Sequence, residues 1–143
     1  MSEQENSVSF FRFKDLRIYA KAVEYIAWVQ EETGYLHENQ QLIFGEKFVK
    51  AAQGIALNIV EGSVRNKVQF IYYLKIAKSF IRECVIYTDI AAKSSILSEE
   101  KIHHSVCQLM ELTKMTGKLL TSLQDSIPPI NRKEKVDDFS EVV

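Results

Sequence analysis

The chain has 143 residues, 46% hydrophobic and 26% charged, with a formal net charge of −1. That length fits one domain with a sizeable core, and the composition excludes a disordered or fibrous chain. Two prolines and five glycines argue for long uninterrupted helices rather than a turn-rich β fold.

Taken in order, the segment 1–11 reads as a flexible N-terminal stretch. Phe10, Phe11 and Phe13 cluster before the first helix, placed to fold back on it as a staple or to dock on a neighbouring subunit. The first helix starts near Asp15 and stops at Thr33-Gly34. Leu16, Tyr19, Ala20, Val23, Ile26 and Ala27 form its expected inward stripe, with Trp28 and Val29 a second contact surface. Tyr35 to Gln41 is a short polar connection. The second helix spans about Leu42 to Glu61. Phe48, Ile55 and Ile59 face inward from it, while Ala51, Ala52, Gly54 and Ala56 keep it thin enough for close neighbours.

Asn58, Glu61 and Gly62 mark a structural corner at its end. Gly62 is expected as a left-handed stop. Glu61 opposes the helix dipole, so the free N–H groups of the next helix are its expected partner. Ser63 or Asn66 caps the third helix, which runs from about Lys67 to Lys93, roughly 40 Å. Its stripe is Phe70, Leu74, Ala77, Ile81, Cys84, Thr88 and Ala91, in alternating steps of four and three. A flanking stripe of Tyr73, Ile76, Phe80 and Tyr87 suggests more than one neighbour, hence self-association. Ser98 with Glu99 and Glu100 starts the fourth helix. Ile102, Val106, Leu109, Thr113, Thr116, Leu120 and Leu123 form its stripe, and Pro128-Pro129 forbids continuation beyond about Gln124. The pattern is all-α: an antiparallel up-down four-helix bundle over 12–124, followed by a disordered acidic tail at 125–143.

Chemistry is scarce. Glu100 and His103 have the Glu-x-x-His spacing of di-iron bundles, but no second pair exists, and such centres need one. There is no phosphate-cradling glycine loop and no nucleophile elbow. No catalytic residue, metal or cofactor is expected. Cys84 and Cys107 read as buried small hydrophobes, with no C-x-x-C pair. No stretch reads as a signal peptide or as a bilayer span, so a cytoplasmic location without membrane contact is expected. The middle is mildly basic, with eight bases to four acids between Glu46 and Lys93.

Phe13-Lys14-Asp15-Leu16, Ala51-Ala52, Asn58-Ile59-Val60-Glu61-Gly62, and Phe70 and Ala77 with Glu83 together resemble the bacterial 23S rRNA-intervening-sequence protein family. They are more distantly similar to the accessory variability proteins of diversity-generating retroelements. The resemblance covers about Phe11 to Leu123. It implies a homopentamer whose basic surface or channel holds nucleic acid, and no defined catalytic activity. Lys47, Val49 and Ser79-Phe80 depart from the family pattern, and Phe80 replaces a small residue. The candidate nucleic-acid contacts are Lys47, Lys50, Arg65, Lys67, Lys75, Lys78 and Arg82; a solvated face is their ordinary alternative. Tyr72, Tyr73 and Tyr87 offer base-stacking surfaces, although packing is their commoner use, and Glu83 is expected to pair with Lys50. Expected partners are a second copy of the chain and RNA or DNA. The alternative is a protein-binding adaptor, such as an accessory subunit of a retroelement reverse transcriptase.

Overall fold

The structure is a computed structural model describing residues 11–128. The expected flexible segment and most of the acidic tail therefore lie outside the described residues. A 3-10 turn, Arg12–Asp15, leads into α1 (Arg17–Thr33); α2 (Glu46–Ser63), α3 (Lys67–Lys93) and α4 (Glu99–Asp125) follow. Each helix packs on its chain neighbour, and α4 returns to α1 to close the bundle. The α2–α3 pairing is the most extensive and α4–α1 the least. The caps are those the sequence offers: Asn66 accepts from the Gln69 N–H and Ser98 from the Lys101 N–H.

Close approach of α2 and α3 depends on two glycines. A Cβ on Gly54 would lie 2.4 Å from the Phe80 ring, and one on Gly62 would lie 2.7 Å from Tyr73 Cβ. Phe80, the departure from the family pattern, is thus seated on a glycine of the facing helix. Gly62 is not the expected left-handed stop. No glycine has positive φ, the helix continues to Ser63, and the absent side chain serves packing instead of a turn. Two residues of the flanking stripe of α3 are used within the chain: Phe80 lies against Gly54, and Tyr87 stacks on Phe48 at 5.6 Å.

Several helix faces differ from the expected ones. In α1 the buried row is Ile18, Ala22, Tyr25, Val29 and Thr33. Ala20, Val23 and Ala27 are exposed, and Leu16, Tyr19 and Ile26 are half-buried. Val29 belongs to the core, while Trp28 lies between Tyr25 and His104, with ring centroids at 5.9 and 5.0 Å. In α4 the buried row is Ser105, Leu109, Leu112, Thr116 and Leu120, leaving Val106 and Thr113 exposed. Cys107 is exposed rather than buried. The segment before α2 is helical too: Glu38–Gln40 is a short α turn and Gln41–Gly45 a π turn. There the Gln41 amide donates to the Thr33 carbonyl and ties the start of α2 to the end of α1. Phe13 folds back edge-on to Tyr19 at 5.2 Å. Ile127 is buried, so the bundle extends past Gln124.

One hydroxyl chain explains both shifted faces. Thr88 Oγ1 donates to the Cys84 carbonyl, and Ser105 Oγ lies 2.8 Å from both Thr88 Oγ1 and the Tyr25 hydroxyl. Since the Thr88 proton is committed to Cys84, Ser105 donates to Thr88 and Tyr25 donates to Ser105. Every O–H in the chain is satisfied, which lets three polar side chains enter the core. Ser105→Ala strands the buried Tyr25 donor and is expected to cost about 1–3 kcal/mol. Tyr25→Phe leaves Ser105 its own acceptor and should cost about 1 kcal/mol or less. In urea titrations the double variant should lose less than the sum of the two single losses; strict additivity would contradict the chain.

Burial, and then the Glu83 carboxylate, push the Cys84 thiol from its usual 9.0 up to about 12. Burial also raises the Tyr25 phenol above its usual 10.0. Above pH 9 the unfolded chain releases a Cys84 proton that the folded chain retains, so stability must fall as pH rises. Urea midpoints should decline from about pH 9, and Cys84→Ala should delay the decline towards about pH 10, where Tyr25 takes over. A wild-type midpoint that stays flat from pH 8 to 11 would contradict the burial of both groups.

Candidate nucleic-acid interface

The seven candidate bases do not form one patch. Lys47 and Lys50 are exposed on α2, which packs against the Phe80 and Tyr87 side of α3. Arg65, in the α2–α3 corner, is committed to structure: its guanidinium binds the Glu61 carboxylate and lies 5.1 Å over the Tyr73 ring. Glu61 therefore takes a side-chain partner instead of the expected helix N-terminus. Asn58 donates to the Gly54 carbonyl at 2.7 Å. Lys67 is exposed at the first position of α3. Glu83 is exposed, and no ion pair joins it to Lys50 among the described residues, so that expected pair does not form.

Lys75, Lys78 and Arg82 do converge. Their spacing of three and four residues sets them in one row about 10 Å long, and the next step of three reaches Val85. Val85 lines a cleft of about 410 Å³ between α3 and α4, with Val106, Met110, Thr113 and Lys114 on its other wall. The Thr88–Ser105 hydrogen bond fixes the register of these antiparallel helices. It sets Lys114 and Lys118 at the same height along the bundle as the stretch of α3 from Lys75 to Arg82. Among the described residues, Lys78, Arg82, Lys114 and Lys118 take part in no salt bridge. The cleft lining itself is mostly apolar, with Lys114 its one base and Asp89 its one acid.

Lys114 and Lys118 were missed in the sequence because they lie on a different helix from the basic middle stretch. Their signal was the i, i+4 pair itself, readable only with the α3–α4 register in hand. Of the three tyrosines, Tyr87 is stacked in the core, Tyr73 carries Arg65, and Tyr72 is exposed beside Tyr73 at 5.3 Å. Among the described residues no three His, Cys, Asp or Glu side chains are grouped to hold a metal ion.

The model of one protein family matches residues 14–118, from the 3-10 turn through most of α4. The chain belongs to the 23S rRNA-intervening sequence protein family. No curated protein matches it. The family match includes the whole basic row on α3 and both lysines at its height on α4. No helix among the described residues is long and apolar enough to cross a membrane.

Proposed function

We propose that this member of the 23S rRNA-intervening sequence protein family is a non-catalytic, self-assembling bundle that binds RNA through the α3–α4 face, as a scaffold or accessory factor. The observation that carries the reading is the row Lys75, Lys78 and Arg82 set at the same height along the bundle as Lys114 and Lys118. Among the described residues Lys78, Arg82, Lys114 and Lys118 take part in no salt bridge, which leaves them available to phosphate oxygens, and repetition around an assembly multiplies the phosphates neutralised. Fluorescence anisotropy of a labelled structured RNA, titrated at several salt concentrations, tests it. Binding that weakens steeply with salt is expected; absence of binding at low salt would overturn it.

Self-assembly has its own support. On the outer face of α3, Tyr72, Ile76, Ser79, Glu83, Ile86 and Ile90 repeat in steps of four and three, with Glu83 the one charge. Ile86 is 57% exposed. Across the bundle, an uncharged cleft between α1 and α2 is lined by residues including Val23, Gln53, Leu57 and Val60. Two different apolar faces on one protomer suit a head-to-tail ring. Light scattering after size exclusion should give a multiple of the 16.5 kDa chain mass, five-fold for a pentamer. Ile86→Asp should reduce it; a wild-type monomer at micromolar concentration would contradict assembly. Exposed Tyr35, Leu42 and Ile43 at one end of the bundle support a second reading, docking of a protein partner such as a reverse transcriptase.

A further inference from the structure

His103 and Cys107 sit one helical turn apart on α4, a spacing that puts both side chains on one face. Both are exposed, and Cys107 Sγ lies 3.5 Å from His103 Nε2. That separation matches the span between two ligands of a tetrahedral zinc ion. Bonds of about 2.3 Å to sulfur and about 2.0–2.1 Å to nitrogen, at an angle of about 109°, set the two donor atoms about 3.6 Å apart. Two ligands at i and i+4 of one helix also hold zinc in the His-Glu-x-x-His helices of metalloproteases. A thiolate with an imidazole suits zinc rather than magnesium or calcium, which take oxygen ligands. Glu99, one turn before His103, lines the same cleft as His103 between the end of α3 and the start of α4, and its charge favours a cation there.

Among the described residues no third His, Cys, Asp or Glu completes a metal-holding group with this pair, whereas protein zinc sites take three or four protein ligands. The surface beside the pair is open and apolar, with Val106 40% and Met110 52% exposed, so a second α4 can approach it. A two-fold axis through the ion brings in the same pair from the second copy. We infer that His103 and Cys107 form half of a zinc site, which a second copy of the chain completes with its own imidazole and thiolate. On binding, the Cys107 S–H bond breaks, its electron pair forms the bond from sulfur to zinc, and the proton leaves to solvent. His103 binds through Nε2 as a neutral imidazole with its proton on Nδ1. Apparent affinity should therefore rise with pH. This isologous contact is distinct from the head-to-tail faces described above, and it does not rest on the RNA reading.

Cobalt(II), which adopts zinc's tetrahedral geometry and absorbs light, is the probe. Titrated into the reduced full chain, it should give a thiolate-to-cobalt charge-transfer band that saturates at one metal per two chains, and zinc should displace it. Cys107→Ser should abolish the band. His103→Ala should weaken binding by more than the roughly 10–100-fold that losing an outer-shell partner costs. Cys84→Ala should leave the band unchanged, since that thiol is buried. Both α4 positions are exposed, so the two site variants should melt as the metal-free wild type does. X-ray absorption of the zinc form should show two sulfur and two nitrogen neighbours. Absence of the band, or a band that survives Cys107→Ser, would overturn the site. Saturation at one metal per chain with a single sulfur neighbour would overturn its completion by a second copy.

Discussion

Gly62→Ala is expected to destabilise the bundle by about 2 kcal/mol, although alanine is the better helix former. Helix preference alone favours alanine over glycine by about 1 kcal/mol, so the packing cost must exceed that gain. A Cβ at Gly62 would lie 2.7 Å from Tyr73 Cβ, 2.8 Å from Phe70 Cδ1 and 3.3 Å from Phe70 Cα. The last is backbone and cannot rotate away, so α2 and α3 must separate, at an overpacking cost of about 1–3 kcal/mol. Gly62→Leu should abolish cooperative folding. Gly54→Ala should cost less than Gly62→Ala, since its obstacle is the half-buried Phe80 ring, which can swing outward. Gly117→Ala is the control: nothing lies within 4 Å of its Cβ position, and it should stabilise by about 0.5–1 kcal/mol. Thermal melts of the three alanine variants check this order. A Gly62→Ala protein as stable as Gly117→Ala would contradict the close helix contact.

The bundle itself was legible in the sequence. Long helical periods, the Asn66 and Ser98 caps and the scarcity of proline suffice to place four helices and their order. The faces were less legible, for one shared reason. Tyr25, Thr88 and Ser105 form a hydroxyl chain between α1, α3 and α4. Ser105 reads as a surface residue until its partners, 80 and 17 positions away, are known. Passing over it rotates the α4 stripe towards Val106 and Thr113. Passing over Tyr25 rotates the α1 stripe towards Val23 and Ala27. The start of α2 was hidden because Gln41, a polar residue in a polar stretch, is half-buried and bonded to the Thr33 carbonyl. For the candidate site, the sequence lists bases but not their facing. Arg65 is a corner residue bound to Glu61, while Lys114 joins the basic row only through the α3–α4 register.

The row gives the second large expected effect. Lys78→Ala, Arg82→Ala and Lys114→Ala in one protein remove three phosphate contacts per protomer. Each contact contributes about 0.7–0.9 to the slope of log affinity against log salt. The combined variant should therefore lose about 2–3 units of slope, and on the order of a hundredfold in affinity near 0.1 M salt. Lys47→Ala with Lys50→Ala is the matched control, since both lie on the other side of α3 from the cleft.

Salt-dependent anisotropy of one structured RNA, run in parallel on wild type and these two variants, tests the RNA face most directly. The expected result is a steep wild-type slope, a marked flattening in the Lys78/Arg82/Lys114 variant, and little change in the Lys47/Lys50 variant. Equal flattening in both variants, or a wild-type protein that binds no RNA at low salt, would contradict the assignment of the α3–α4 face.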